Sequence, residues 1–257
     1  MARQYKRDNA KRADKPNPRE DRNHPYDPER NPRGYREEDS VKPKKRVQLL
    51  PRNIPQEEYV EALLDDSKAI IFAIGSAGTG KTLLATLAAI KGVQEGKYER
   101  VVITRPAVSV DENHGFLPGT LVDKMAPWVI PIMDVFKEYY PTPTVNKMLL
   151  NEVIEIAPLA FMRGRNLKNC IVIADEMQNA TPSQMKMLLT RISEGSKMIV
   201  TGDLAQHDKT FEVNGLYDFV NRIRNSNSRK FSVTEFSREH IERHPIIDEV
   251  LRLYGDE

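Results

Sequence analysis

From position 47 onward, short apolar runs alternate with stretches whose apolar residues recur at helical spacing; before that point the chain is almost wholly polar. Ala69–Ile74, Arg100–Thr104, Cys170–Ala174, Lys197–Thr201 and Lys230–Phe236 have the length and composition of strands buried on both faces. Helices are expected over Gln56–Leu64, where Tyr59, Val60, Leu63 and Leu64 share a face, and over Leu83–Lys91, Leu121–Tyr140, Val145–Glu152 and Ile246–Tyr254. One more helix begins at Thr181, which can cap it, with Pro182 suited to its first turn. Met185, Met187, Leu188 and Ile192 on that helix are expected to pack into the core. Strands alternating with helices predict an α/β fold, a parallel sheet covered on both sides. Lys44–Pro51 reads as a strand or extended lead-in. Asn113–Arg165 is about fifty residues, too long for a plain connection, and is expected to line a functional surface.

The polar beginning changes the picture of domain organisation. Residues 1–46 hold 15 Lys/Arg against 9 Asp/Glu, leaving 24 against 28 for the remainder. They contain six prolines and no Leu, Ile, Phe or Trp, so there is little apolar area to offset an ordering cost of about 1–2 kcal/mol per residue. Residues 1–46 are therefore expected to be a disordered basic tail and residues 47–257 a single α/β domain. The tail suits phosphate contacts to nucleic acid, and equally a solvated linker. The single Cys170 sits in an apolar run as a small core residue. With no membrane span or signal-peptide core in sight, the chain is expected to be cytoplasmic and away from membranes.

The chemistry concentrates after the first of these strands, where residues 75–82 read Gly-Ser-Ala-Gly-Thr-Gly-Lys-Thr. A strand, a glycine-rich loop and a helix in this order make a phosphate cradle, because glycines let backbone amides and a helix N-terminus close around oxyanions. Gly75, Ser76, Ala77, Gly78, Thr79 and Gly80 form the cradle. Lys81 neutralises the terminal phosphates, and Thr82 offers a hydroxyl to Mg²⁺. About ninety residues on, Ile171-Val-Ile-Ala-Asp175-Glu176 is an apolar strand ending in two carboxylates. Asp175 is placed to hold the metal and Glu176 to polarise an attacking water.

Other candidates are individually weaker. Thr201-Gly-Asp203-Leu-Ala-Gln206 leaves a strand on the same rim, so Gln206 can sense the γ-phosphate and Asp203 can orient it. Arg105 follows a strand end and suits a phosphate or nucleic acid. Gln56, nineteen residues before the loop, is a candidate reader of the adenine edge. Arg243, with Arg238 as competitor, is a candidate finger reaching a neighbouring subunit's nucleotide. His114, His207 and His240 have no metal-ligand spacing with Cys170, so metal is expected to arrive with the nucleotide.

Taken together, the blocks resemble the PhoH-type ATPases, P-loop proteins similar to the core of superfamily 1 helicases. The resemblance rests on the loop at 75–82, Thr-Arg-Pro at 104–106, Gly-Phe-Leu-Pro-Gly at 115–119 and Phe-Met-Arg-Gly-Arg-Asn-Leu at 161–167. It continues through Asp-Glu-Met-Gln-Asn-Ala-Thr at 175–181, Thr-Gly-Asp at 201–203 and Arg-His-Pro at 243–245. It implies a three-layer, RecA-like P-loop NTPase core, Mg²⁺-dependent ATP hydrolysis, a ring-forming homo-oligomer with a hexamer as one candidate, and single-stranded RNA as partner. It gives Gln206 the motif III role and Arg243 the trans-acting arginine role; before Arg-His-Pro the family pattern reads Asp-Val-Val, where this chain has His240-Ile-Glu242. The short chain is similar to stand-alone, often phage-encoded members, and its tail lacks the apolar content of a PIN nuclease domain, so no intrinsic RNA cleavage is expected.

Two other functions use the same loop. A small-molecule phosphotransferase would need an arginine-bearing lid, which Asn113–Arg165 could supply. A nucleotide-gated binding protein would use ATP to set its assembly with little turnover.

Overall fold

Strand formation follows the apolar runs. The computed structural model describes residues 43–106, 121–205, 214–242 and 245–254. Six strands, β1 (Ile70–Gly75), β2 (Arg100–Thr104), β3 (Ile154–Ile156), β4 (Cys170–Ala174), β5 (Lys197–Gly202) and β6 (Phe231–Phe236), form one sheet in the order β3-β2-β4-β5-β1-β6. Every pairing is parallel. Alternate residues of β1 face opposite cores, as a pleated strand requires. Ile71 and Ala73 enter one cluster, and Ile70, Phe72 and Ile74 enter the other.

The first cluster is closed by α1 (Ile54–Leu64), α2 (Lys81–Gln94), α3 (Leu121–Tyr139) and α4 (Thr142–Leu150), through residues such as Tyr59, Ile90, Phe136 and Val145. The second is closed by α5 (Pro182–Leu189) and α6 (Gly215–Arg224), with Met185, Leu188, Leu216 and Val220 fully or nearly fully buried. Cys170 is fully buried in the second cluster, and burial pushes its thiol above the ordinary range. This is a three-layer α/β P-loop NTPase fold. The last helix, α7 (Pro245–Tyr254), starts one residue before its expected position.

Local signals set several boundaries. Thr181 caps α5 reciprocally: its hydroxyl accepts from the Gln184 N–H, and the Gln184 carboxamide accepts from the Thr181 N–H. Asn53 caps α1 by accepting from the Gln56 N–H. Three expectations change. α4 begins at Thr142 rather than Val145, because Pro143 in its first turn has no amide to leave unpaired; it ends at Leu150, because Glu152 takes a left-handed φ of 57°. The edge strand β3 is three residues long and gave no pattern to read. α6 was also not anticipated, although Asn214 caps it and Leu216, Phe219, Val220 and Ile223 recur at helical spacing.

From residue 121 onward, the described part of the stretch expected to line a functional surface also contributes to the core. Val129, Ile132, Met133 and Phe136 of α3 pack against the sheet side, and β3 extends the sheet edge. Arg165 makes a forked ion pair with Glu155 at that edge, which holds the Glu155 carboxyl below its usual range. The Gly-Phe-Leu-Pro-Gly block lies outside the described residues.

Lys197 at the start of β5 is 3% exposed, and its ammonium donates to the Leu63 and Asp65 carbonyls at the end of α1, both at 2.8 Å. Burial, reinforced by Lys97, lowers its pKa to about 8. Because the folded-state value lies below the unfolded value, stability is lost as pH falls through about 8 and is fully recovered above the unfolded lysine range. Replacing Lys197 by Met leaves two helix-end carbonyls unpaired and should cost about 1–3 kcal/mol in urea unfolding. The gap to wild type should widen from pH 7 to pH 10; a gap that narrows would refute the assignment.

Candidate functional site

The parallel order puts the carboxyl ends of β1, β4 and β5 on one rim, and a cavity of about 260 Å³ opens there. Its walls come from the loop and first turn of α2 (Ala77, Gly78, Gly80, Lys81, Thr82), from Asp175 and Glu176 after β4, and from Thr201, Gly202 and Asp203 at the end of β5. Among the described residues, none between 128 and 165 lines it.

The loop conformation depends on glycine where the backbone demands it. Gly75 has φ of 140°, and a Cβ there would lie 2.0 Å from the Phe236 carbonyl oxygen of the neighbouring β6. Gly80, at φ 83°, is the N-cap of α2 and supplies no side-chain cap, so the first amides of the helix are left for a ligand. Thr79 closes the loop internally by donating its hydroxyl to the Ser76 carbonyl at 2.9 Å.

Lys81 is 8% exposed, and its ammonium donates to the Gly75 and Ser76 carbonyls, each at 2.7 Å. Burial lowers its pKa, while Asp203, Glu176 and Asp175 act in the opposite sense. One ammonium and three carboxylates thus make the cavity lining formally negative.

Asp175 is the junction of the site. Its Oδ1 accepts from the Thr82 hydroxyl at 2.8 Å and also from the Thr201 hydroxyl. Thr82 and Asp175, at the two places from which the sequence draws a metal site, are therefore in direct contact. A hydroxyl and a carboxylate are hard oxygen donors of the type Mg²⁺ takes together with phosphates and water. The donor set fits that ion.

Glu176 also lines the cavity, with a left-handed backbone (φ 55°, ψ 40°) that is rare outside glycine. Its carboxylate accepts from the Gln178 amide, and the Gln178 carbonyl oxygen accepts from the Asp203 N–H at 3.1 Å. Asp203 in turn accepts from the Ala205 N–H at 2.9 Å.

Gln56, the candidate adenine reader, is held against the loop. It is 4% exposed, donates from Nε2 to the Thr79 carbonyl at 3.1 Å, accepts at Oε1 from the Arg52 N–H at 2.9 Å, and does not line the cavity. It braces the loop from beneath. Arg105 lies with its guanidinium 5.2 Å from the Trp128 ring centre, away from the cavity lining. Arg238 is exposed in a short 3₁₀ turn. Gln206 and Arg243 lie outside the described residues. Two contributors escaped sequence reasoning. Thr201 is visible only as a threonine ending a strand, and Gln178 carries no spacing signal because its reach depends on a 3₁₀ turn over Met177–Asn179.

With the site described, its relatives can be set beside it. Residues 48–255 match the family model for PhoH-like protein. The PhoH-like protein of Bacillus subtilis (strain 168) is 38% identical over 219 residues, covering 85% of this chain and 67% of that protein. The PhoH-like protein of Mycobacterium tuberculosis (strain ATCC 25618 / H37Rv) is 39% identical over 208 residues, 80% of this chain and 58% of that protein. Protein PhoH of Escherichia coli (strain K12) is 37% identical over 216 residues, with the same coverages of 80% and 58%. The chain therefore spans 58–67% of the length of these curated relatives. Among solved structures, the Pif1 helicase from Candida albicans aligns with 78% of this chain and 43% of that chain at 15% identity and a TM-score of 0.37, an overlap too loose to bear on function.

The contact between Gly75 and β6 makes a direct test of the cradle. Gly75→Ala combines a disfavoured φ with a backbone clash, and should lower stability by about 2–5 kcal/mol in chemical unfolding. A variant as stable as wild type would show that the loop does not need this close approach.

Proposed function

The chain belongs to the PhoH-like family, and from that premise and the cavity geometry we propose that it is a Mg²⁺-dependent ATP hydrolase coupled to the binding or remodelling of single-stranded RNA. The observation that carries the reading is the 2.8 Å contact between Thr82 and Asp175 beside Lys81 and Glu176. It brings a phosphate cradle, two oxygen donors and a further carboxylate to one rim. In this reading Gly75 to Gly80 cradle the phosphates, Lys81 compensates the charge on the terminal phosphoryl group, and Thr82 with Asp175 holds Mg²⁺. Held by Thr82 and Asp175, such an ion would supply the positive charge that phosphates need beside three carboxylates.

Glu176 is the general base, because it borders the cavity next to Asp175 yet has no contact with Thr82 or Lys81 that would occupy both its oxygens. Asp203 orients the terminal phosphate side of the cavity. Gln206 and Arg243 keep the roles implied by the family, as γ-phosphate sensor and trans-acting finger. Water is favoured over a metabolite as acceptor, since the described part of the long insertion packs on the sheet rather than over the cavity.

Assembly into a homo-oligomeric ring is supported by α7, on which Val250 and Leu253 are 43% and 82% exposed. Leu253 and Tyr254 stand at the end of this helix, where a second copy could cover them. The basic residues 1–46 supply the electrostatic part of RNA affinity, which should weaken steeply with salt.

The decisive experiment measures phosphate release and nucleotide binding together. Glu176→Gln should reduce turnover by about 10²–10⁴-fold while still binding ATP with Mg²⁺. Single-stranded RNA should raise wild-type turnover. Sedimentation with an ATP analogue should show an oligomer. If wild type binds ATP but releases no phosphate with or without RNA, the protein is a nucleotide-gated binder and the hydrolase reading fails.

A further inference from the structure

Gln178 is 2% exposed, and a side-chain amide at such depth must find partners for both its ends. It finds them on two different strands. Nε2 donates to Glu176 Oε2 at 2.5 Å, and Oε1 accepts from the Asp203 N–H at 3.1 Å. Glu176 follows β4 and Asp203 follows β5, and both border the cavity, whereas Gln178 stands behind them.

The surroundings are shaped for this amide. A Cβ on Gly202 would lie 2.8 Å from Gln178 Oε1 and 2.6 Å from Leu216 Cδ2, so the bare backbone of Gly202 leaves the space that the carboxamide fills. The left-handed turn at Glu176 sends the chain into the 3₁₀ turn Met177–Asn179, which returns Gln178 towards its neighbour two residues back. Only a carboxamide serves both contacts. An ionised glutamate has no donor for the Glu176 carboxylate, and methionine offers neither group.

We infer that Gln178 is a positioning residue for hydrolysis: it fixes the Glu176 carboxylate at the cavity wall and ties it to the backbone of the β5 exit turn at Asp203. The inference rests on the hydrolase reading above, and assigns to Gln178 no contact with nucleotide. The consequence is that the base and the β5 turn move together. A shift of either strand end alone would break one of the two hydrogen bonds.

The test compares wild type, Glu176→Gln, Gln178→Met, Gln178→Glu and the double variant Glu176→Gln/Gln178→Met in the full chain. Each is assayed for steady-state ATP turnover with Mg²⁺, for binding of a non-hydrolysable ATP analogue, and for thermal unfolding. Misplacing a catalytic group by about 1 Å can cost on the order of 10²-fold, so Gln178→Met should lower kcat by about 10–100-fold, leaving KM and analogue affinity within about 2-fold of wild type. Gln178→Glu retains the acceptor for the Asp203 N–H but loses the donor to Glu176, and should be impaired to a similar degree even if Gln178→Met folds poorly. In the Glu176→Gln background, Gln178→Met should have no further effect on rate, because both act through one carboxylate.

Wild-type kcat in both Gln178 variants, or an additive loss in the double variant, overturns the inference. So does a parallel loss of analogue binding. If Glu176→Gln is inactive under the same conditions, the hydrolase reading survives that failure. Absence of turnover in wild type overturns both.

Discussion

The hydrogen bond from Thr82 to Asp175 is the contact on which the arrangement of the rim depends. The loop strand β1 and the carboxylate strand β4 are not neighbours; β5 lies between them. Asp175 must therefore reach across the end of an intervening strand to meet the first turn of α2. Thr201, on that intervening strand, meets the same carboxylate oxygen, so a single acceptor ties three elements together. The carboxylate is 9% exposed and its partners are hydroxyls, which makes the junction sensitive to small displacements of either strand.

The sheet order explains why bulk has been removed at the strand ends. Gly202 lies where Leu216 Cδ2 and Gln178 would meet any side chain, and Gly75 lies against the Phe236 carbonyl. Each glycine permits a close approach between neighbouring parallel elements, and each sits within or just beside the polar rim. The core beneath needs no such allowance: Ile71, Phe72, Ile173 and Ile199 fill both sides of the sheet at complete burial.

Much of this was legible in the sequence because it is local. The five long strands follow from apolar runs bounded by polar residues, and the cradle follows from an uninterrupted octapeptide in a strand-loop-helix setting. The helix α5 follows from Thr181 and Pro182. What escaped was non-local or short. β3 has three residues, too few for any alternation to register, and its strand character comes from pairing with β2. α6 lies beyond the polar block at 201–206, in a segment with no expected element, although Leu216, Phe219, Val220 and Ile223 recur at helical spacing. Gln56 shows the limit of position-based inference. Its distance from the loop suggests a ligand contact, and its two amide ends also meet the Thr79 carbonyl and the Arg52 N–H. Nothing in a linear spacing distinguishes bracing a loop from reading what the loop holds.

That bracing has a counterpart on the other flank, and the pair changes what the octapeptide by itself can be said to specify. The Glu242 N–H donates to the Gly78 carbonyl at 2.9 Å, and its carboxylate approaches Arg52 and Asn53 near the start of α1. Residues from before β1 and from after β6 therefore grip the same loop, one at Thr79 and the other at Gly78. Carbonyls held this way are fixed by partners more than twenty residues before and more than one hundred and fifty residues after them. The glycines make the cradle's conformation accessible, and tertiary hydrogen bonds select it from the many that glycine allows. An octapeptide match predicts the first of these and is silent on the second. Glu242 also stands immediately before the Arg-His-Pro block in the sequence, so the residue preceding that block is itself bound to the loop.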